Sequence, residues 1–172
     1  TMVAAGVYLV ARALPLFTVS GDSNVLVPDG GVGGVVLQMA MRDITFESDG
    51  GDMFVIAGAG ALWDEVVDAV CARERFGIEN LAGIPGTAGG AVVQNIGAYG
   101  AELADVFSYA DVIDRATGAR RRVSRREAAF AYRTSFFKER REFVITRVAL
   151  RLAAGAAPNV SYPDLARASA SG

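Results

Sequence analysis

Apolar residues recur along the chain at spacings that divide it into short elements. Val3, Val7 and Val10 stand at helical spacing within residues 2–13, and Pro15 ends that run. Leu16–Val19 and Val25–Val27 flank the polar stretch Ser20-Gly21-Asp22-Ser23-Asn24, the pattern of a hairpin. Val35–Met39 and Met53–Ala57 predict two more strands. Between them, residues 42–52 carry Asp43, Glu47, Asp49, Gly50, Gly51 and Asp52 and predict a polar link between two subdomains. Gly58–Gly60 predicts a turn. The clearest helix covers residues 62–76, with Leu62, Val66 and Val70 at i, i+4 and i+8 and Val67 and Cys71 beside them. Asp64 and Glu65 near its start and Arg73 and Arg75 near its end suit the helix dipole. Trp63 and Cys71 are expected to be packing residues. Residues 105–114 and 119–123 predict a strand, a turn at Thr117-Gly118 and a second strand. Ser124, with Glu127 three residues on, predicts a capping box opening a short helix. Phe143–Leu152 alternates in part and predicts a closing strand, 153–158 a linker, and Asn159 the start of a further unit.

Composition narrows the classes of function. Of 172 residues, 52% are apolar and 21% charged, which gives enough apolar surface for a core and excludes disorder. The net charge of −2 offers no global argument for nucleic acid or membrane. Ten of the seventeen basic residues fall between Arg115 and Arg141, without the interleaved aromatic platform of RNA-binding domains. They predict either a solvated basic face or a site for a nucleotide-linked anionic small molecule. Cys71 is the only cysteine, so no internal disulfide forms, in keeping with a reducing compartment. No histidine occurs, which excludes a Ser-His-Asp triad, a Cys-His pair and a histidine metal site. No apolar run reaches the ~18 residues of a transmembrane helix. Met2–Val19 comes nearest, but Arg12 and Pro15 interrupt it, and it lacks the basic start and cleavage site of a signal peptide. A cytoplasmic protein with no metal, nucleic-acid or membrane partner is the expectation.

The candidate chemistry centres on Gly83–Gly100, GIPGTAGGAVVQNIGAYG, in which six of eighteen residues are glycine. Such a stretch reads either as tight turns between strands or as a loop wrapped around a ligand, with exposed N–H groups forming a nest for phosphate. A Rossmann turn after Gly58 would need a third glycine where Trp63 stands, and no glycine run is followed by the Lys-Ser or Lys-Thr of a P-loop.

The order of residues says more. Ile84–Tyr99, IPGTAGGAVVQNIGAY, resembles the flavin-binding segment of the UDP-N-acetylenolpyruvoylglucosamine reductase (MurB) family. Tyr132–Lys138, YRTSFFK, resembles that family's Tyr-Arg-x-Ser-x-Phe-Lys segment, and Ser161–Leu165, SYPDL, its loop tyrosine. Asp22 stands where the family usually has glycine, and Val92 where it often has proline. The resemblance implies an α+β fold of two FAD-binding subdomains, of the vanillyl-alcohol oxidase / p-cresol methylhydroxylase type. It implies a first subdomain over residues 1–48, a second over 49–154 and the start of a substrate domain over 155–172. The implied cofactor is FAD, with NADPH as co-substrate and a UDP-linked sugar as substrate. The implied flavin contacts are Ser23, Asn24, Pro85, Gly86, Thr87, Gly89, Gly90, Ala91, Gln94, Asn95, Gly97, Ala98 and Tyr99. On the substrate side stand Tyr132, Arg133, Lys138 and Tyr162, with Arg133 as the catalytic cation beside the substrate carboxylate. Lys138 is expected to serve the substrate nucleotide or a structural ion pair, and Ser135 has no assigned role. The family's proton-donor serine and C-terminal glutamate have no counterpart here, so a chain truncated at both ends is expected. Another oxidoreductase of the same fold and a non-catalytic flavin-binding module are the alternatives.

Overall fold

The computed structural model describes residues 16–19, 29 and 35–170. The helix expected over 2–13, the strand expected at 25–27, and Ser23 and Asn24 lie outside the described residues. In chain order the first elements are β1 (Leu16–Val19), β2 (Val35–Gln38), β3 (Ile44–Asp49) and β4 (Asp52–Gly58). Helices α1 (Trp63–Cys71) and α2 (Ala88–Gln94) follow, then the short strands β5 (Gly97–Ala98) and β6 (Ala101–Glu102) and a single helical turn, α3 (Leu103–Val106). The chain continues through β7 (Phe107–Asp114), β8 (Arg120–Ser124), α4 (Arg125–Ala128), α5 (Phe136–Glu139), β9 (Phe143–Leu152) and α6 (Pro163–Ala170).

Two sheets carry the fold. β1 and β2 pair in parallel, Leu16 opposite Val35. The larger sheet is antiparallel with order β3-β4-β9-β7-β8. Strand alternation buries one face of it: Val55 and Ala57 of β4, Val148, Leu150 and Leu152 of β9, and Ala110 and Val112 of β7 join the core. Trp63, Val66, Val67 and Val70 of α1 and Ala88, Ala91 and Val92 of α2 join the same cluster. The indole N–H of Trp63 donates to the Leu81 carbonyl at 2.9 Å, so the largest core side chain is also satisfied.

The structure corrects three readings of the pattern. Residues 42–52 are not a link: they form β3 and the turn at Gly50-Gly51, whose φ values are 59° and 93°. Ile44 and Phe46 pack against the core while Thr45 and Glu47, alternating with them, face solvent, as do Ser48 and Asp49 at the strand's end. The helix from 62 ends at Cys71 rather than Phe76. The N–H groups of Arg73 and Glu74 bond to the carbonyls three residues back, and Glu74 turns left-handed at φ 54°. Leu62 is its N-cap and Cys71 lies at its exposed end, so neither packs in the core. Finally, the glycine-rich stretch contains a helix, α2.

Arg73 and Arg75, expected near the end of α1, lie beyond it, and the strand expected from residue 105 begins at Phe107 after the turn of α3. Other expectations hold. β9 has the bounds the alternation gives, and α4 opens on the Ser124–Glu127 capping box. The linker after β9 is fastened at its start, where Asp52 accepts from the Ala154 N–H at 2.8 Å and from Arg151 Nε at 2.6 Å.

Candidate functional site

α2 forms inside a glycine run because each early N–H has a partner. Ala88 and Gly89 donate to the Ala61 and Ala59 carbonyls, both at 2.9 Å, and Gly90 donates to the hydroxyl of the N-cap Thr87 at 3.4 Å. Gly89 is required by closeness: a Cβ there would stand 3.0 Å from the Ala59 carbonyl oxygen. These N–H groups therefore anchor the helix, and the phosphate nest read from the glycines is not built there. The open part lies just ahead. Gly83 and Gly86 take φ values of 75° and 138°, and no heavy atom lies within 4 Å of where their Cβ atoms would be. Pro85 stands between them, so a flat ligand can approach this backbone closely.

α2 ends on Asn95, which is 1% exposed and left-handed at φ 43°. Its NH2 group donates to Glu102 Oε2 at 3.1 Å and to the Ala131 carbonyl at 3.0 Å, and its side-chain oxygen accepts from the Ala104 N–H at 3.0 Å. The side chain is spent on joining three segments, which leaves a ligand only the backbone. Beyond it, β5 and β6 close over the two-residue turn Tyr99-Gly100, with φ of 49° and 78°, the pattern of a type I′ hairpin turn. Tyr99 holds a conformation that aromatic residues rarely take, with its ring 52% exposed. Gly97 and Ala98 lie half-buried in β5.

The Tyr132-Arg133 pair forms the tip of a second tight turn. Ala131 and Thr134 exchange both backbone hydrogen bonds at 3.1 Å, and Arg133 is left-handed at φ 55°. The Arg133 guanidinium donates to the Gly97 carbonyl at 2.6 Å, which brings the arginine turn onto the glycine-rich segment. Ser135 is buried, and its hydroxyl donates to the Val93 carbonyl in the last turn of α2 at 3.0 Å. The Lys138 ammonium donates to the Arg133 carbonyl at 2.9 Å and to Gln94 Oε1 at 3.3 Å, and among the described residues it has no ion-pair partner. Tyr132 is 82% exposed.

Tyr162 meets Tyr99 edge to face, ring centroids 5.2 Å apart. The segment leading to it is held by Asn80, whose NH2 group donates to the Tyr99 carbonyl at 3.1 Å and the Asn159 carbonyl at 2.7 Å. Glu79 accepts from the Asn159 N–H at 2.8 Å. Pattern reading missed Asn80, Glu79 and Asn159, since single polar residues 79 or 80 positions apart leave no periodic signal. Ser135 and Asn95 were visible in motifs, but their partners were not.

The described residues thus bring Arg133 and Lys138 onto Gly97 and Gln94, and Tyr162 onto Tyr99, at the C-terminal end of α2, while Pro85 and Gly86 lie at its other end. The basic stretch is largely a paired, solvated face. Arg122 clamps Asp111 at 2.8 and 3.1 Å, and Arg140 pairs with Glu142 at 2.6 Å. A separate cavity of about 340 Å³, lined by residues including Ser108, Arg125 and Arg151, contains none of the candidates. No described helix is long and apolar enough to cross a membrane.

Comparison with known proteins places this arrangement. The FAD-binding domain family matches residues 2–124. The chain is 42% identical over 160 residues to the UDP-N-acetylenolpyruvoylglucosamine reductase of Nocardia farcinica, covering 92% of this chain and 41% of that protein. It is 42% identical over 161 residues to the enzyme of the same name from Mycolicibacterium smegmatis, covering 93% and 43%. The crystal structure of the reductase of that name from Thermus caldophilus superposes with a TM-score of 0.72 at 27% identity, over 98% of this chain and 57% of that one. Cholesterol oxidase from Brevibacterium sterolicum shares the fold, with a TM-score of 0.60 at 19% identity over 89% of this chain and 32% of that one. The chain spans less than half the length of these curated relatives.

Proposed function

Since the chain belongs to the FAD-binding domain family, we propose that it is the flavin-holding part of a UDP-N-acetylenolpyruvoylglucosamine reductase. The fold is the α+β FAD-binding fold shared with the vanillyl-alcohol oxidase type, and FAD is the cofactor it implies. The proposed reaction is NADPH-driven reduction of UDP-N-acetylglucosamine enolpyruvate to UDP-N-acetylmuramate, a cytoplasmic step of peptidoglycan precursor synthesis. The proposed subdomains are 1–48, 49–154 and the start of a substrate domain at 155–172; because β3 belongs to the five-stranded sheet and β1–β2 form a separate one, the first boundary is better drawn ahead of Ile44.

One observation carries the reading: the Arg133 guanidinium bonds to the Gly97 carbonyl at 2.6 Å. That contact sets a permanent cation against the stretch that follows α2, while the backbone open to a flat ligand at Gly83 and Gly86 precedes the same helix. FAD, when bound, would supply the hydride it takes from NADPH. As the enolpyruvyl double bond accepts it, negative charge grows on the carboxylate side, and the remaining donors of Arg133 stabilise that charge. Tyr132 and Tyr162 flank the proposed substrate face. Ser23, Asn24, Pro85, Gly86, Thr87, Gly89, Gly90, Ala91, Gln94, Asn95, Gly97, Ala98 and Tyr99 are the proposed cofactor contacts. No residue of this chain is assigned as proton donor.

The test is the visible spectrum of the purified chain, before and after adding FAD and removing the excess. Retained flavin bands are expected. A folded chain that retains none overturns the reading. In the whole protein, NADPH oxidation that depends on the enolpyruvyl substrate separates this reductase from other oxidoreductases of the fold.

A further inference from the structure

We propose that Lys138 is a positioning residue that joins the end of α2 to the arginine turn and does not itself contact substrate. This rests on the proposed roles of Gln94 and Arg133. The ammonium has three donors, and two are already directed at oxygens of site residues: the Arg133 carbonyl at 2.9 Å and Gln94 Oε1 at 3.3 Å. Each bond does a different job. Arg133 is a non-glycine residue at φ 55°, a strained conformation that persists only when its surroundings fix it. The Ala131–Thr134 bonds close the turn from below, and Lys138 takes the carbonyl at its tip. The bond to Gln94 fixes the orientation of an amide whose two ends are otherwise interchangeable. With Oε1 on the ammonium, the NH2 end is the one left for a ligand. Gln94 then meets the cofactor as a donor, which suits the carbonyl acceptors of a flavin ring. Lys138 therefore sets the geometry of both the cation and the amide.

The experiment uses isotope-labelled chain without flavin, comparing the parent with Lys138→Met and Lys138→Arg. Lys138 is exposed, so neither change disturbs the core. For Lys138→Met, amide hydrogen exchange at Ala131 and Thr134 is expected to quicken about tenfold, the loss of a charge-assisted bond, while β4 and β9 amides stay unchanged. The Gln94 side-chain NH2 resonances are expected to move toward their free positions. Lys138→Arg, which can donate to both oxygens, restores both signals. Unchanged exchange and resonances in Lys138→Met overturn the proposal in favour of a direct substrate contact. Quickening spread equally over the whole sheet overturns it in favour of a general stability role. FAD titration of the same samples separates the cofactor reading: a parent chain that binds no FAD refutes that reading, while the local exchange result still decides what Lys138 holds.

Discussion

Asn95 concentrates the demands on a single position. It must turn left-handed to end α2, and it must satisfy the Ala104 N–H and the Ala131 carbonyl from a side chain that is itself buried. Asparagine tolerates the left-handed region better than most residues and carries both a donor and an acceptor. Asn95→Ala meets neither demand, and the variant is expected to lose about 2–3 kcal/mol of stability, measured as the shift in urea unfolding against the parent. Flavin contact through the Asn95 side chain predicts instead a loss of FAD affinity with stability intact. Sequence motifs mark such a residue without saying what it serves. Asn95 stood out beside a glycine-rich run, yet its three partners come from residues 102, 104 and 131, and only folding brings those together.

Among the elements, α4 allows the sharpest prediction. Its Glu127 carboxyl is held below the ordinary glutamate range, first by the Ser124 backbone N–H, then by the Ser124 hydroxyl. A carboxylate with a depressed folded value stabilises the fold above its unfolded value and loses that contribution as pH falls through the folded one. The stability gap between the parent and Glu127→Gln is therefore expected to be full at neutral pH and to close below about pH 4, measured by denaturant unfolding across that range. A gap independent of pH contradicts it. The elements legible in the sequence were those, like α4 and β9, whose cause lies within a few residues. The capping box needs only Ser124 and Glu127, and β9 carries its own alternation. β3 was missed because Thr45, Glu47, Ser48 and Asp49 face water, and a half-wet strand resembles a linker. α2 was missed because Gly89 and Gly90 argue against a helix until Ala59 and Ala61 are known to accept the N–H groups of its first turn. Of the two, α2 carries candidate residues, and it was found only through distant partners.

At the scale of the molecule, a cofactor bound only by the folded state must raise the unfolding temperature. The gain is about 2.7 kcal/mol at a hundredfold excess over the dissociation constant and about 1.4 kcal/mol for each further tenfold. Thermal scans of the chain in rising FAD are expected to show a midpoint that climbs with the logarithm of concentration, and a midpoint indifferent to FAD contradicts the cofactor assignment. The order of the large sheet has a consequence for how the molecule is made. β9 lies at its centre, pairing Met53 with Leu152 on one side and Ala110 with Val148 on the other. The β3–β4 and β7–β8 hairpins emerge first from the ribosome and close locally, but each keeps an inner edge unpaired until residues 143–152 arrive. Synthesis therefore passes through an interval with two open strand edges in one nascent chain. Assembly then waits on long-range pairing, the slow step in folding and the one most exposed to aggregation.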